Sequence, residues 1–356
     1  MIIFLTIVVF IVILGLLIFV HEFGHFIIAK IAKVKVEEFA FGFPPRILSI
    51  RRGDTRYSIN LIPLGGYVKL LGEEENIKTP GSFFEKSVAT RIGIIIAGVV
   101  MNFVLAIVLM TIGFSIGMTP LVSDPSTLGG EKVSKVMVVY VQPGSPAEQS
   151  GLSQGTILNG FNSTADLQNF TRSHLNQGVT FSIEKPNAKN AEEIKLTLSD
   201  NKDAPLGVGI VSITKVKQPF FQAFWTSVKE TGKVIAAICV FLWDILKSLF
   251  TTGKAGPAAE GVVGPIGIFN FTSQAIKIGW IYVLQLLILI TINLGFINIL
   301  PFPALDGGKV LFLFLEGIFR RKVIRQEIEN IIHMIGFALL ILLIIAITYR
   351  DIVHLR

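Results

Sequence analysis

The sequence predicts a polytopic α-helical membrane protein with four transmembrane helices, a membrane-dipping β-loop and an inserted α+β domain. Of its 356 residues, 51% are hydrophobic and only 16% are charged, whereas an average globular protein has about 25% charged residues. Apolar segments of about 20 residues, the length that crosses a bilayer, recur along the chain. This composition excludes a disordered chain and an ordinary soluble enzyme.

Four apolar segments are predicted to be spans: residues 1–29, 92–118, 280–300 and 331–349. The alternative for the first is a cleaved signal peptide. The sequence disfavours that alternative because no basic residues precede the segment, and because its apolar run exceeds the roughly 7–15 residues usual in signal peptides. The last span ends in a Tyr-Arg pair, and both residue types anchor helices at the membrane interface.

The loops beside the first and third spans are predicted to be cytoplasmic. Residues 30–91 and 301–330 are rich in Lys and Arg, which the positive-inside rule assigns to the cytoplasmic face. Within the first of these loops, residues 39–71 alternate in polarity and contain Gly and Pro turns, which predicts short strands. This stretch is apolar enough to lie against the membrane or dip into it, provided that protein or a water-filled cavity satisfies its backbone.

The sequence from 120 to 217 is polar again and predicts a soluble α+β domain. Strands are predicted at 136–141, 181–183 and 194–198. Residues 143–147 predict a turn that leads into a short helix. Because this domain lies between the second and third spans, we expect it on the outer face of the membrane.

The first span contains His21-Glu22-Phe23-Gly24-His25, an H-E-x-x-H motif. On a helix, residues four apart share a face, so His21 and His25 can hold one zinc ion, and Glu22 lies beside them to activate water. The alternative is a pair of histidines at a helix interface. Ionisable residues in an apolar span are costly, however, and are functional by default. The single cysteine, Cys239, excludes a cysteine-based zinc site.

Zinc requires a third protein ligand and an open fourth position, and Asp306 is the candidate. It follows the third span in the segment N-I-L-P-F-P-A-L-D-G-G. The prolines end the helix, and the glycines allow a tight turn that directs the acidic side chain back toward the bundle. From this segment alone, an ordinary turn aspartate is the simpler interpretation. The H-E-x-x-H motif reverses that preference.

Residues 218–279 are apolar but carry charges such as Asp244 and Lys247. The segment either crosses the membrane or lies along the interface as an amphipathic helix. His25 lies near the inner end of the first span, and Asp306 reaches the same face only if an even number of crossings separates the two. We therefore expect that residues 218–279 do not span the membrane.

The combination of these motifs resembles the site-2 protease family of zinc intramembrane metalloproteases, specifically the regulator-of-sigma-E protease type with one PDZ domain. Gly98 and Asn102 match the family's G-x-x-x-N in the second span, and Gly264-Pro265 resembles its Gly-Pro segment before the third. The resemblance covers essentially the whole chain. The site that it implies consists of the zinc ligands His21, His25 and Asp306 and the general base Glu22.

The resemblance also implies substrate contacts. Asn298 would hydrogen-bond the substrate backbone near the zinc. Gly42 and Phe43 would belong to the membrane-dipping loop that presents the substrate as an added strand. Asn102 is predicted with these substrate-binding residues, and together with Gly98 it would also support the core.

Residues 138–161 resemble a PDZ domain, with Gly155-Thr156 where the family usually has Gly-Asp. A peptide ligand for this domain and a steric filter without a ligand both stay open. The implied activity is that of a zinc metalloendopeptidase in regulated intramembrane proteolysis. Its substrates would be transmembrane proteins, such as an anti-sigma factor or a signal-peptide remnant. An upstream site-1-type protease would already have cut them.

The implied location is the inner (cytoplasmic) membrane, with several passes through the lipid bilayer and the PDZ domain outside the cytoplasm. No nucleic-acid partner is expected, because cytoplasmic membrane loops explain the net charge of +7.

Two other functions are considered. A membrane metallohydrolase with a non-peptide substrate is disfavoured by the N-x-x-P-x-P-x-L-D-G segment. A metal-binding transporter or receptor with a PDZ sensor is disfavoured because transporters commonly show inverted repeats and the sequence shows none. A pure metal-binding site also has no need of Glu22.

Overall fold

The computed structural model describes residues 2–73, 79–186, 188, 190–254, 256–322 and 324–354. Within these ranges, five helices are long and apolar enough to cross a membrane. They are α1 (Ile2–Ile31), α2 (Val88–Ile116), α5 (Phe220–Thr252), α7 (Trp280–Ile299) and α9 (Gln326–His354). The protein is therefore a multi-pass membrane protein. Helix α5 occupies the segment expected to lie along the interface, so the count of four spans stays a prediction.

The described chain also contains four shorter α-helices. They are α3 (Pro146–Gln149), α4 (Thr164–Ser173), α6 (Pro265–Ile278) and α8 (Asp306–Phe319). The chain divides into two compact units. The first comprises Met1–Ile107, Val234–Asn270 and Leu287–Arg356, and the second comprises Val108–Lys233 and Phe271–Leu286.

The predicted β-loop in the first unit is a long hairpin that folds back on itself. Strand β1 (Val36–Arg52) pairs antiparallel with β2 (Thr55–Leu70). Phe39 pairs with both Val68 and Tyr57, so the first half of β1 lies between the two halves of β2. The sequence predicts short strands here, whereas the structure has two long strands bent by bulges.

The bend in β1 falls at Gly42, whose φ of +84° is a conformation that residues other than glycine rarely adopt. Apolar side chains near the bent end of the hairpin are exposed, including Leu48 and Leu61 at 64% and 59%. Arg51, Arg52 and Arg56 lie at the opposite end, where β1 and β2 are joined. The hairpin therefore has an apolar end and a basic end, which suits an element that dips into a membrane from one face.

The second unit contains a five-stranded antiparallel sheet in the order β6-β5-β4-β3-β7. Its strands are β3 (Glu131–Val141), β4 (Ile157–Leu158), β5 (Gly178–Glu184), β6 (Glu192–Thr197) and β7 (Val208–Lys217). The three strands predicted from sequence are thereby confirmed. The predicted turn leads into α3, where the Ser145 side chain accepts a hydrogen bond from the Glu148 N–H. A PDZ identity for this domain stays a prediction.

Helices α1 and α2 approach each other closely in the first unit. A Cβ added at Gly24 would overlap the carbonyl group of Ala97. Small residues at such a contact allow two helix backbones to pack against each other within a membrane. This close approach brings the first span's motif against α2.

A buried ion pair joins α2 to α8. The Arg91 guanidinium, whose side chain is 5% exposed, donates from Nη2 to Glu316 Oε1 at 2.5 Å and from Nη1 to Oε2 at 3.2 Å. The Arg91 guanidinium carbon also lies 5.0 Å from the centre of the Phe84 ring. Removing one charge of such a pair leaves the other buried and uncompensated.

We expect Arg91→Met to lower the free energy of unfolding by about 3–5 kcal/mol, and the double variant Arg91→Met/Glu316→Met to recover most of that loss. Lys69→Met is the control, because it removes a surface pair with Glu37 and should change stability by about 1 kcal/mol or less. Chemical unfolding in detergent micelles, followed by circular dichroism, measures all three. Equal losses in Arg91→Met and the double variant would contradict the buried-pair interpretation.

Candidate metal centre

Helix α1 places the two motif histidines on one face, one turn apart. The His21 and His25 ring centroids are 4.8 Å apart, with the rings nearly perpendicular at 84°. Opposite them on α2 lies Gly98, where an added Cβ would overlap Nε2 of His25 and contact Cε1 of His21. The absence of a side chain at this position leaves the space that the two imidazoles occupy.

The end of α7 and a tight turn bring Asp306 to the same place. The Leu305 N–H donates to the Phe302 carbonyl at 3.2 Å, which closes a β-turn before Asp306 begins α8. An added Cβ at Gly307 would overlap the carbonyl oxygens of Ile299 and Leu300 at the end of α7, and one at Gly308 would overlap that of Phe302. The two glycines therefore permit the tight path that the sequence predicts.

Three potential ligand atoms converge at this point. Asp306 Oδ2 lies 3.0 Å from His21 Nε2 and 3.4 Å from His25 Nε2, and the two nitrogens are 3.2 Å apart. Ligands at zinc bond lengths of about 2.0–2.1 Å in a tetrahedron are separated by about 3.3 Å. The described residues contain no other such group of three or more His, Cys, Asp or Glu side chains.

The second nitrogen of each imidazole is bound from behind. His25 Nδ1 lies 2.9 Å from the Ile94 carbonyl oxygen, which can only accept, so Nδ1 carries the proton and Nε2 keeps its lone pair. His21 Nδ1 lies 3.2 Å from the side-chain amide of the fully buried Asn102. The atom placed there is Asn102 Nδ2, and Oδ1 has no hydrogen-bond partner; the opposite orientation of the amide fills the same space and would let Oδ1 accept from an Nδ1–H of His21.

These contacts fit a metal ion. Asp306 Oδ2 is buried and has no hydrogen-bond partner, and it faces two nitrogens that present lone pairs. Three such atoms within 3.4 Å repel one another unless a cation lies between them. Two imidazoles and one carboxylate are a donor set that zinc takes in catalytic sites.

Glu22 and Asn298 lie at one cavity with two of the three potential ligands, His21 and Asp306. The cavity is lined by His21, Glu22, Gly66, Asn298 and Asp306, among others. An added Cβ at Gly66 would overlap Cγ of Glu22, so β2 passes directly beside this carboxylate. Asn298 Nδ2 lies 3.4 Å from His21 Nε2, which places its amide at the edge of the ligand cluster.

The remaining sequence-predicted residues lie at different distances from the cavity. Phe43, 44% exposed, pairs with Ile62 and packs against Gly65, which lines the cavity. Asn60 donates to the Gly42 carbonyl at 2.9 Å, so Gly42 shapes the hairpin. Asn102 does not reach the cavity. It lies fully buried with its amide beside His21 Nδ1, and its role in substrate binding stays a prediction.

Sequence reasoning assigns no role to His333 in α9. The structure places its Nδ1 2.9 Å from the Ala304 nitrogen, in the turn before Asp306. The sequence does contain a signal that could have identified His333. It is an ionisable residue within an apolar span, and such residues usually have a functional role.

Comparison with known proteins agrees with this geometry. The model of Peptidase family M50 matches residues 9–343. A Clostridium acetobutylicum protein provisionally named a zinc metalloprotease is 34% identical, over 99% of this chain and 98% of its own. The zinc metalloprotease RasP of Bacillus licheniformis is 29% identical, and that of Oceanobacillus iheyensis is 28% identical. Each of the two alignments covers 98% of this chain and 99% of the relative.

A multi-helix membrane fold with a His-His-Asp cluster and an adjacent glutamate defines a membrane metalloprotease. The chain belongs to peptidase family M50, the site-2 protease family, whose cofactor is zinc.

We expect Gly98→Ala to lower the affinity for zinc by at least about 10–100-fold, as the loss of support for metal ligands does, because the new methyl group displaces His25. The control is Gly93→Ala on the same helix, where an added Cβ meets nothing within 4 Å. Zinc affinity is measured by competition with a chelator. Alanine favours the helix in both variants, so unfolding should not explain a loss, and equal affinities in the two would contradict the predicted role of Gly98.

Proposed function

We propose that the protein is an intramembrane zinc endopeptidase that hydrolyses a peptide bond within or near a transmembrane segment of a membrane protein already shortened by another protease. The observation that carries this proposal is the His21–His25–Asp306 cluster at one cavity with Glu22. Two of its three residues, His21 and His25, belong to the apolar helix α1 itself.

His21, His25 and Asp306 would hold the zinc ion. When bound there, zinc supplies Lewis-acid polarisation of the scissile carbonyl and makes water more acidic. Glu22, on the cavity wall, takes the proton from the attacking water and delivers it to the leaving amine nitrogen. Asn298 donates its amide hydrogen to the substrate backbone and holds the extended chain near the ligands.

The hairpin gives the substrate an edge on which to pair. Peptide bonds in a helix are shielded, so a transmembrane segment must unwind before hydrolysis. The second half of β2 pairs with β1 on one side, and no other described strand pairs with its outer edge. An unwound segment added to this edge would satisfy its backbone hydrogen bonds and pass beside Glu22 at Gly66.

The contacts at both ends of α5 support four spans. The Gln218 N–H, just before α5, donates to the Phe114 carbonyl at 2.9 Å, near the end of α2 remote from Ile94 and His25. After α5, Arg350 donates to the Ala259 carbonyl at 2.7 Å, near the end of α9 remote from His333. If α2 and α9 both cross from the cytoplasmic face, α5 begins and ends on the outer face.

We also propose the wider setting implied by the family resemblance. The protein lies in the cytoplasmic membrane, its five-stranded domain is an extracytoplasmic PDZ-type domain, and an upstream protease acts first. In the domain, β7 is an edge strand of the sheet, and α4 begins beside it, where the Thr164 N–H donates to Ser212 Oγ at 2.9 Å. An edge strand beside a helix suits a peptide ligand. A steric filter remains the alternative.

We expect Glu22→Gln to lower the rate of cleavage by about 10²–10⁴-fold, because the amide cannot accept the proton from water. The substrate is a model transmembrane segment truncated on its outer side, and its products are located by mass spectrometry. Bound zinc is measured in parallel and should stay at the wild-type level.

His174→Asn, in the soluble domain, is the matched control and should cleave like wild type. If wild type and Glu22→Gln both hold zinc and neither cuts any segment tested, the non-protease alternative of a metal-binding transporter or receptor gains support. Cleavage by Glu22→Gln at the wild-type rate would contradict the role of Glu22.

The proposed topology predicts that both ends of α5 react from outside the cell. In a Cys239→Ser background, cysteines at Gln222 and Thr252 should be labelled by a membrane-impermeant maleimide added to intact spheroplasts. A cysteine at Arg321, in the predicted cytoplasmic loop, should react only after permeabilisation. Labelling at Gln222 with protection at Thr252 would show that α5 crosses.

A further inference from the structure

We propose that helix α9 positions the metal-binding aspartate through His333 and Gly336, which makes His333 a positioning residue for the reaction. This inference rests on the zinc site proposed above. It concerns the turn Phe302-Pro303-Ala304-Leu305, called here the ligand turn, which immediately precedes Asp306.

The ligand turn holds a residue in an unfavourable conformation. The hydrogen bond from the Leu305 N–H to the Phe302 carbonyl makes Pro303 and Ala304 its two central residues. Ala304 has a φ of +76°, as the third position of a type II turn requires, and glycine is the residue that takes this position without strain. An alanine persists in such a conformation only when its surroundings fix it.

His333 supplies one of the fixing contacts. Its Nδ1 accepts a hydrogen bond from the Ala304 N–H at 2.9 Å, at the strained residue itself. Phe312 of α8 packs against this imidazole. The centres of the two rings are 5.5 Å apart, and the rings lie edge to face. The hydrogen bond therefore joins α9 to the turn through a ring whose orientation is set by packing.

Gly336 supplies the second contact, one turn further along the same face of α9. An added Cβ at Gly336 would overlap Cβ and the carbonyl group of Pro303. The backbone of α9 thus packs directly against the turn, and residues three apart on a helix share a face. Contacts at Pro303 and Ala304, the two central residues, fix the turn in position and in orientation.

The consequence falls on Asp306, two residues after Ala304. It is the first residue of α8, and Leu305, which precedes that helix, provides no side-chain cap. The location of Asp306 Oδ2 therefore follows the ligand turn. A shift of about 0.5 Å is enough to spoil a catalytic geometry, and Oδ2 is matched to both histidines at 3.0 and 3.4 Å.

The test compares four variants of the full-length protein in detergent: His333→Leu, His333→Asn, Gly336→Ala and His333→Leu/Ala304→Gly. Asparagine keeps an acceptor oxygen near the place of Nδ1, and glycine at 304 takes a positive φ without strain. Met334→Leu, an exposed residue of the same helix, is the control. Zinc affinity, the visible absorption of the Co²⁺-loaded protein, and kcat and KM are measured for each.

We expect His333→Leu to bind zinc about 10–100-fold more weakly, to shift the Co²⁺ absorption bands, and to lose kcat with KM within about twofold of wild type. Gly336→Ala should show the same changes. His333→Asn should stay near wild type, and Ala304→Gly should restore most of what His333→Leu loses. A residue that merely stabilises the helix bundle would not be rescued by glycine at the turn.

Wild-type affinity and spectrum in both His333→Leu and Gly336→Ala would overturn the proposal, and so would a failure of Ala304→Gly to restore binding. If His333→Leu does not fold, as judged by gel filtration, Gly336→Ala decides by the same readouts. A wild-type protein that binds zinc but cleaves nothing overturns the proposed function while the affinity comparison still holds. Unchanged affinity with normal proteolysis overturns only the role of α9.

Discussion

The structure depends on holding three electron-rich atoms within 3.4 Å of one another. Two imidazole nitrogens and a carboxylate oxygen repel each other in the absence of a cation, so the surrounding protein must impose their positions. It does so from behind each histidine, through the Ile94 carbonyl and the Asn102 amide. Both of these groups belong to α2. The close approach of α1 and α2, made possible by Gly24 and Gly98, is therefore a requirement of the metal centre.

The hairpin meets a second constraint, because irregular backbone near lipid must satisfy its own polar groups. Folding β1 between the two halves of β2 pairs its first half on both sides. Glu38 accepts hydrogen bonds from two other parts of the hairpin, from Ser58 at 2.5 Å and from Arg46 at 2.7 Å. Its partial burial works to raise its pKa, but these two partners lower the pKa overall, so Glu38 stays ionised as the hub of the hairpin.

Local residue spacing and composition predict most of the candidate site and the apolar helices of this protein. The H-E-x-x-H spacing identifies the two histidines that the structure groups with Asp306 and the glutamate at the adjoining cavity, and the prolines and glycines around Asp306 predict its turn. The way the hairpin folds back on itself was not predictable. It depends on the first half of β1 pairing with both halves of β2, and these pairings join segments that are distant in the sequence. The positive φ of Ala304 and its hydrogen bond to His333 could not be predicted from the sequence either. The bond joins residues 29 apart in the chain, and alanine is not a residue type that indicates a positive φ. The contact of Asn102 with His21 Nδ1 was likewise not predictable in detail, because a motif indicates that residues lie near one another and not which atoms meet.

The two walls of the cavity suit opposite tasks. One wall is built from α1, α7 and the ligand turn, and contacts from α2 and α9 fix it from behind, as a metal centre requires. The other wall is the edge of β2, where Gly65 and Gly66 present backbone without side chains. A strand added to that edge would lie about 4.8 Å beyond it. Because Glu22 lies against the face of β2 at Gly66, a substrate backbone paired with β2 beside this residue would lie about one strand spacing from the residue that moves the proton.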